Sequence, residues 1–223
     1  MILQLRTTDA FIKLISEFER AHAIILCEGS TEAEVVKAIN KRLDILDGWV
    51  RVAITDCEGI NTLRKKILPF IVRVIALKVL SKARVLGVVL DAEDLSPNER
   101  VRGIVDGLRS RKVSLTCDAV NDNVWRITLS NDGAVIVAVS GVMNYEWFTK
   151  HTIEDHILLL KELEGLVDSN TIRNVKEASA LVSRNDLQLI NNASTDNIKT
   201  SFKHVVELLE LIRGILTIHK LVS

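Results

Sequence analysis

The feature that most constrains this fold is a pattern of short apolar runs, each followed by an acidic or glycine-containing turn and then by residues at helical spacing. The pattern occurs three times, with continuous apolar runs at 22–27 and 85–90 and alternating apolar residues at 50–54. Apolar runs of this length are typical of strands buried on both faces of a parallel sheet. Repeated strand–helix units also predict right-handed crossovers. We therefore expect an α/β fold with a mainly parallel central sheet flanked by helices.

The second half of the chain predicts different elements. A strand is expected at 113–117, and a hairpin of 124–129 with 134–139 that turns at Asn131-Asp132-Gly133. Apolar residues at helical spacing then predict helices near 153–164, 171–182 and 197–219. We expect one domain over residues 1–165 and a helical C-terminal extension over 166–223 that packs on it.

Two further helices are predicted in the first half. Apolar side chains at 11–18 have the spacing of an amphipathic first helix. A longer helical stretch is expected from about 61 to 83, and Pro69 is expected to break or kink it.

Acidic residues stand where the three strands of the repeated pattern end. Glu28 follows the first strand, Asp56 ends the second, and Asp91 with Glu93 follows the third. Carboxyl ends of parallel strands meet at one edge of an open sheet, where such folds bind ligands. Mg²⁺ prefers oxygen ligands, and it can orient a phosphodiester and activate water. The sequence therefore predicts a divalent-metal site at this edge that serves phosphodiester chemistry.

Two of these strand ends resemble the motifs of the Toprim family. Residues 24–32, Ile-Ile-Leu-Cys-Glu-Gly-Ser-Thr-Glu, resemble the first motif, an apolar strand, then Glu-Gly, then an acid on the opening turn of a helix. Residues 88–93, Val-Val-Leu-Asp-Ala-Glu, resemble the second motif, an apolar strand ending in Asp-x-Asp. The resemblance covers roughly residues 20–160 and is to the small stand-alone and OLD-type branches of the family.

The resemblance implies a Toprim-like, Rossmann-like domain that uses Mg²⁺ or Mn²⁺ to cleave or transfer a phosphodiester of DNA or RNA. It implies that Glu28 is the general acid or base, or a metal ligand, and that Asp91 and Glu93 hold metal. Glu32 and the pair Glu154-Asp155 are candidates for a second metal position by the same resemblance.

Some of these residues have alternative interpretations. The second acid of the Asp-x-Asp pattern is Glu93 here, one methylene longer, so Asp94 is an alternative ligand. Glu154-Asp155 stands at the start of a predicted helix, where acids are favoured by the helix dipole alone. His151 and His156 show no metal-binding spacing and are expected to be ordinary surface residues.

Charge balance limits how the protein can attract nucleic acid. The chain has 29 basic and 29 acidic residues, so a DNA or RNA partner requires a local basic patch or a metal bridge to phosphate. The runs Arg64-Lys65-Lys66 and Arg109-Ser110-Arg111-Lys112 are candidates for nucleic-acid binding, because basic side chains follow phosphates. Alternatively, both runs are only the solvated face or the C-terminal turn of a helix.

Other classes are disfavoured by what the sequence lacks. The first six residues have no basic, apolar and small-residue segments of a leader, and no run of about 18 apolar residues could span a membrane. The three cysteines form no CxxC pair, so neither a disulfide framework nor a zinc site is indicated. We expect a cytoplasmic protein.

Three functions are left. The first is a metal-dependent nuclease or a related nucleotidyl-transfer enzyme, and the second is a non-catalytic Toprim module that binds nucleic acid or a protein. The third, a phospho-acceptor aspartate as in receiver domains or haloacid-dehalogenase phosphatases, fits poorly because residues 91–95 lack the DxDx[TV] pattern. The apolar stripe between Val205 and Leu216 is expected to pack on the domain, with a homodimer interface as the second interpretation.

Overall fold

The fold is a single twisted sheet with helices on both faces, seen in a computed structural model of the chain. The structure describes residues 2–5, 20–46, 48, 50–76, 83–130, 133–145, 147–148, 150–182 and 186–222. The described strands are β1 Ile2–Leu5, β2 Ala23–Cys27, β3 Val52–Asp56, β4 Val85–Asp91, β5 Leu115–Ala119, β6 Val124–Leu129 and β7 Ala134–Ser140. The helix predicted around 11–18 lies outside the described residues.

Helices connect the strands and form the C-terminal part of the chain. Between the strands lie α1 (Ser30–Leu43), α2 (60–76) and α3 (Pro97–Arg109). After β7 come α4 Ile153–Leu163, a 3₁₀ turn Ser169–Thr171, α5 Val175–Ala180, α6 Leu187–Asn192, α7 Thr195–Ser201 and α8 Lys203–Val222. None of the helices in the described part of the chain is long and apolar enough to cross a membrane.

The sheet has the strand order β1-β3-β2-β4-β7-β6-β5. β1, β3, β2, β4 and β7 are parallel to one another, and β6 and β5 add an antiparallel edge. The prediction of a mainly parallel α/β sheet is therefore confirmed, as is the hairpin of β6 and β7. β5 begins two residues later than expected, and β1 was not predicted.

Two apolar cores lie on opposite faces of this sheet. α2 and α3 cover one face, where Leu63, Ile71 and Ile104 pack against side chains of the central strands. α1, α4, α7 and α8 cover the other face. The predicted apolar stripe of α8 is buried there, as expected, and comprises Val205, Leu208, Leu209, Ile212 and Leu216.

One glycine on β4 makes room for the last helix. A Cβ atom on Gly87 would come within 3.1 Å of the side chains of Ile212 and Ile25. Because β4 lies at the centre of the sheet, close packing of α8 at this point fixes the C-terminal helix against the strand that ends in Asp91.

Helix α2 continues through Pro69 instead of ending there. It consists of Ile60–Thr62, a π-helical turn at Leu63–Ile67 and Leu68–Ala76. Proline has no N–H to donate within a helix, and its ring crowds the preceding turn. A π-helical turn just before it widens the helix locally. The expected distortion therefore takes the form of a π turn.

Candidate functional site

The ends of β2, β3 and β4 are joined by backbone hydrogen bonds. The N–H of Glu28 donates to the carbonyl of Val89 at 2.9 Å, and the carbonyl of Glu28 accepts from Gly59 at 2.8 Å. The N–H of Cys57 donates to Cys27 at 2.9 Å. Glu28 is thus held between its two neighbouring strands, at the carboxyl edge where the sequence places the acids.

An acidic cleft of about 420 Å³ opens at this edge. Four of the acids that line it are almost fully buried: Glu28 is 8% exposed, Glu32 4%, Asp56 8% and Asp91 9%. None of the residues lining the cleft is a lysine or arginine. The structure therefore brings together four of the acids singled out in the sequence. We call this feature the acidic cleft.

Backbone N–H groups orient three of these carboxylates. The N–H of Asp91 donates to Oε2 of Glu28 at 3.3 Å, and the N–H of Gly29 donates to Oε2 of Glu32 at 3.0 Å. The N–H of Ile153 donates to Oδ1 of Asp91 at 2.9 Å, which ties the first residue of α4 to the end of β4. Each of these contacts uses one of the two oxygens of a carboxyl group.

Burial and mutual repulsion favour the protonated forms of the acids in the cleft. Burial raises the pKa of Asp91 far above its ordinary value, and the charge of Glu32 and a hydrogen bond with its carboxyl group raise it further. The pKa of Glu28 is raised mainly by burial, although the backbone N–H of Asp91 and the charge of Arg100 act in the opposite direction. Ionising all the carboxyl groups of the cleft at once is therefore unfavourable without a cation to balance their charge.

Glu93, a predicted metal ligand, does not line the acidic cleft in this structure. Its carboxylate contacts Lys150 Nζ at 3.2 Å and Arg100 at 3.7 Å. Its backbone has a left-handed φ of 55° and is paired with His151 through hydrogen bonds of 2.7 and 2.8 Å. This turn directs the side chain to the two cations. Asp94, the alternative ligand, is exposed.

The pair Glu154-Asp155 is divided between two environments. Glu154 is half-buried, and its charge contributes to the raised pKa of Asp91. Asp155 is fully buried, and its Oδ2 accepts from the N–H of Val142 at 3.1 Å and from His151 Nδ1 at 3.0 Å. Asp155 thus holds the loop that follows β7, whereas Glu154 acts on the acidic cleft.

Arg100 is a functional candidate that the sequence interpretation missed. It is 7% exposed, and its Nε donates to the carbonyl of Ala92 at 3.0 Å. Its charge lowers the pKa of Glu28. The signal was present, because Arg100 lies four and eight residues before Ile104 and Leu108 on the buried face of α3. A cation on a buried helix face indicates a nearby acid.

The predicted basic run lies on the π-helical turn of α2. Arg64 and Lys65 line a basic groove of about 310 Å³ between α2 and α3, together with Arg111. A guanidinium N–H of Arg64 donates to Gly103 at 3.1 Å. Lys66 is exposed but does not line this groove. Since α2 begins directly after Gly59, which lines the acidic cleft, the basic groove starts close to the cleft.

The prediction that His156 is an ordinary surface residue was wrong. It is 6% exposed; its Nε2 accepts from the N–H of Gly141 at 2.8 Å and its Nδ1 contacts the carbonyl of Ser201 at 2.7 Å. Nδ1 therefore carries the proton. Burial lowers the pKa of His156 to about 4. His156 lies three residues after Ile153 and four before Leu160, a spacing that could have indicated the buried face of α4.

No group of three or more His, Cys, Asp or Glu side chains within the described ranges is arranged to hold a metal ion as it stands. The acids of the cleft nevertheless fit a hard cation by their chemistry, since carboxylate oxygens are the ligands of Mg²⁺ and Mn²⁺. Binding of a divalent ion would require the carboxylates to lose protons and to move closer together.

Comparison with solved structures gives a likeness over most of the chain. The C-terminal region of the OLD protein of Xanthomonas campestris pv. campestris aligns with a TM-score of 0.52 and 16% identity, covering 92% of this chain and 98% of that chain. A second structure of the same region aligns with a TM-score of 0.48 and 16% identity, over 90% and 98% of the two chains. The first of these likenesses confirms the expected Toprim-like fold, which is similar to that of the C-terminal region of an OLD protein.

Sequence comparison assigns the family. No functionally curated protein matches the chain. The model of the family described as DUF3226, protein of unknown function, matches residues 22–178, which is more than half of the chain. The protein therefore belongs to the DUF3226 family.

Proposed function

We propose that this protein is a divalent-metal-dependent nuclease, or a closely related phosphodiester-transfer enzyme, that acts on DNA or RNA. The observation that carries the proposal is the acidic cleft, where Glu28, Glu32, Asp56 and Asp91 are buried together at the carboxyl edge of the parallel strands. The Toprim-like fold supports it, because the sequence resemblance to that family implies metal-binding acids at the carboxyl edge of the parallel strands.

Buried acids in such number are costly unless something compensates their charge. Taking a carboxylate out of water costs several kcal/mol, about as much as a good counter-ion returns. The ion pairs found between described residues do not include Glu28, Glu32 or Asp91. A divalent cation with oxygen ligands is the counter-ion that this donor set fits. A role in binding the cation accounts for acids at positions where their burial lowers the stability of the metal-free protein.

The side chains of the acidic cleft would then have different roles in binding and catalysis. We assign Asp91 and Glu32 to holding the cation, since both buried carboxyl groups line the acidic cleft and the charge of Glu32 raises the pKa of Asp91. Glu28, with its raised pKa and Arg100 nearby, is suited to hold or move a proton near the substrate, or to bind the cation directly. When bound, the ion would supply charge neutralisation and orientation of a phosphodiester.

Glu93 and the Glu154-Asp155 pair keep narrower roles in this proposal. Glu93 would join the cation only after its carboxylate leaves Lys150, whose side chain is exposed. We assign Glu154 to completing a second metal position, because it follows Ile153, whose N–H donates to Asp91, on the first turn of α4. We assign Asp155 to positioning the loop after β7, since both Val142 and His151 donate to it.

The basic groove is the surface proposed for the sugar-phosphate backbone. Arg64, Lys65 and Arg111 line it, and it starts close to the acidic cleft. Cations along a groove bind phosphates regardless of sequence, and their contribution falls as salt rises. A strand whose scissile phosphate lies at the cleft would continue along this groove.

A cleavage assay tests the catalytic claim. Fluorescently labelled single- and double-stranded DNA and RNA are incubated with the protein and Mn²⁺ or Mg²⁺, and products are separated by size. We expect metal-dependent cleavage that falls by about 100-fold or more in Glu28→Gln, because loss of a general acid or base removes that much rate. Glu34→Gln, an exposed acid on α1, is the matched control and should cleave as the wild type. Equal cleavage by wild type and Glu28→Gln would refute the assignment of Glu28.

A non-catalytic Toprim module is the second candidate, favoured by one observation: the carboxylate of Glu93, a predicted metal ligand, contacts Arg100 and Lys150 instead of lining the acidic cleft. It predicts nucleic-acid binding without cleavage under either metal. In that case Lys65→Glu and Arg111→Glu weaken binding, whereas Glu28→Gln does not. Cleavage by the wild type decides against this candidate.

A further inference from the structure

A second cavity lies beside the acidic cleft, at the carboxyl end of β7. Its volume is about 520 Å³, and we call it the β7 cavity. It is formed by the turn between β5 and β6, the loop after β7, and residues of α4, α7 and α8. Pro97, the first residue of α3, completes its wall. None of the residues assigned to metal or phosphate above lines this cavity.

The walls of the β7 cavity carry uncharged hydrogen-bonding groups. The amides of Asn121, Asn123 and Asn144 and the hydroxyls of Thr200 and Ser201 line it. Ser201 is 1% exposed, and its hydroxyl has no hydrogen-bond partner among the described residues. A buried hydroxyl without a partner costs stability, so its presence in a cavity wall indicates a ligand that would satisfy it.

Hydrogen bonds from α4 fix the cavity wall in place. The N–H of Gly141 donates to His156, and the N–H of Val142 donates to Asp155, so both loop residues are held by buried side chains. On the opposite wall, the side-chain amide of Asn123 donates to the carbonyl of Val139 at 2.9 Å. A wall held from both sides is typical of a preformed ligand site.

The charge and the apolar surface of the β7 cavity indicate the kind of ligand. Lys203 and Asp122 contribute one charge of each sign to the lining, so the cavity is not suited to an anion such as phosphate. Val142, Met143 and Leu159 add apolar surface on which a flat ring can lie, and methionine sulfur packs favourably on aromatic rings. Amides and hydroxyls beside apolar surface suit a nucleobase, which carries donors and acceptors on its edge and an apolar face.

The position of the cavity links it to the acidic cleft. β4 and β7 are neighbours, with Asp91 opposite Ser140, and Gly141 follows directly. The cleft and the cavity thus open at the same edge of the sheet, one strand apart. The loop after β4 connects them, because it begins after Asp91, which lines the cleft, and ends at Pro97, which lines the cavity.

We propose that the β7 cavity binds a nucleobase of the substrate, turned out of its stack, while a nearby phosphate of the same strand lies at the acidic cleft. This inference rests on the proposed function for the identity of the ligand. The amides and hydroxyls read the edge of the base, and the apolar wall supports its face. Unstacking a base costs a few kcal/mol and least in single strands, so the cavity favours single-stranded or locally opened substrates.

The test measures binding of free nucleosides to the protein in EDTA. Adenosine, guanosine, cytidine, and uridine or thymidine are each titrated, and binding is detected by ligand-observed NMR. We expect at least one nucleoside to bind the wild type, and Thr200→Trp to weaken it by roughly fivefold or more by filling the cavity mouth. Thr200 is exposed on α7, so the substitution leaves the core intact. Lys199→Trp, the exposed neighbour outside the cavity, is the matched control. Asn144→Trp, on the other wall, is a second blocking variant.

A second experiment with oligonucleotides decides whether the cavity binds a base of the nucleic-acid substrate or a free nucleoside. A short single-stranded oligonucleotide should bind Thr200→Trp more weakly than wild type, and an oligonucleotide of abasic positions should bind both equally. If the wild type binds a nucleoside but Thr200→Trp binds the oligonucleotide as tightly as the wild type does, the proposal that the cavity holds a base of the substrate is overturned. No nucleoside binding to a wild type that cleaves nucleic acid would overturn the inference and leave the proposed function. Nucleoside binding that Thr200→Trp weakens, with no cleavage under any metal, supports the cavity and refutes the nuclease.

Discussion

Replacing Asp91 with asparagine is expected to stabilise the metal-free protein. The pKa of Asp91 is raised in the fold by burial and by Glu32, so the ionised form is disfavoured in the folded state relative to the unfolded chain. Asparagine stays neutral, and its Oδ1 can still accept from the N–H of Ile153. We expect the free energy of unfolding to rise by about 1–3 kcal/mol near pH 7, measured by urea denaturation in EDTA.

The effect should depend on pH in one direction. A carboxyl group with a raised folded-state pKa favours the fold fully at low pH, and this contribution is lost as pH rises from its ordinary pKa towards the raised one. The advantage of Asp91→Asn over wild type should therefore grow between about pH 5 and about pH 9. Asp106→Asn, at an exposed position on α3, is the control and should show no such trend. If Asp91→Asn were less stable than wild type at every pH, the ionised carboxyl group of Asp91 would not destabilise the fold, contrary to this account.

Replacing Gly141 with alanine is expected to have the largest effect on stability. Gly141 has a φ of 142°, and a Cβ there would lie 2.7 Å from the Cβ of His151 and 3.2 Å from that of Ala92. Neither neighbour can rotate away, because both contacts are Cβ atoms close to the backbone. We expect a loss of about 2–4 kcal/mol in the free energy of unfolding.

Gly165→Ala is the matched control for this substitution. Gly165 also has a positive φ, 70°, but a Cβ there would meet no atom within 4 Å. Its cost should be limited to the backbone conformation, about 1 kcal/mol. Equal losses for the two variants, measured by the same urea denaturation, would show that the close approach of Gly141 to His151 and Ala92 does not exist in solution.

The sheet and the acidic cleft could be predicted because both follow from the strand ends. Apolar runs define β2, β3 and β4, and the residues that follow parallel strands must meet at one edge. Glu28, Asp56 and Asp91 are fixed by that rule alone. Glu32, which lies on the first turn of the helix after Glu28, was expected there from the resemblance to the Toprim family.

Positions set by loop conformation and tertiary contacts could not be predicted in the same way. The left-handed backbone of Glu93 turns its carboxylate to Arg100 and Lys150, and nothing in the local sequence requires that turn. The burial of Asp155 depends on the loop after β7, which only the assembled fold places beside α4. Among the strands that the structure describes, β1 pairs with β3, which is far from it in sequence.

The most direct test of the central claim is a calorimetric titration of Mn²⁺ into the protein in two buffers of different ionisation enthalpy. We predict saturable binding to the wild type with release of protons, because the protonated carboxyl groups of the cleft must ionise to bind the cation. The same titration of Asp91→Asn should show binding that is lost or at least about tenfold weaker. Binding of equal strength in both proteins, or an absence of binding to the wild type, would contradict the assignment of the acidic cleft as a metal site.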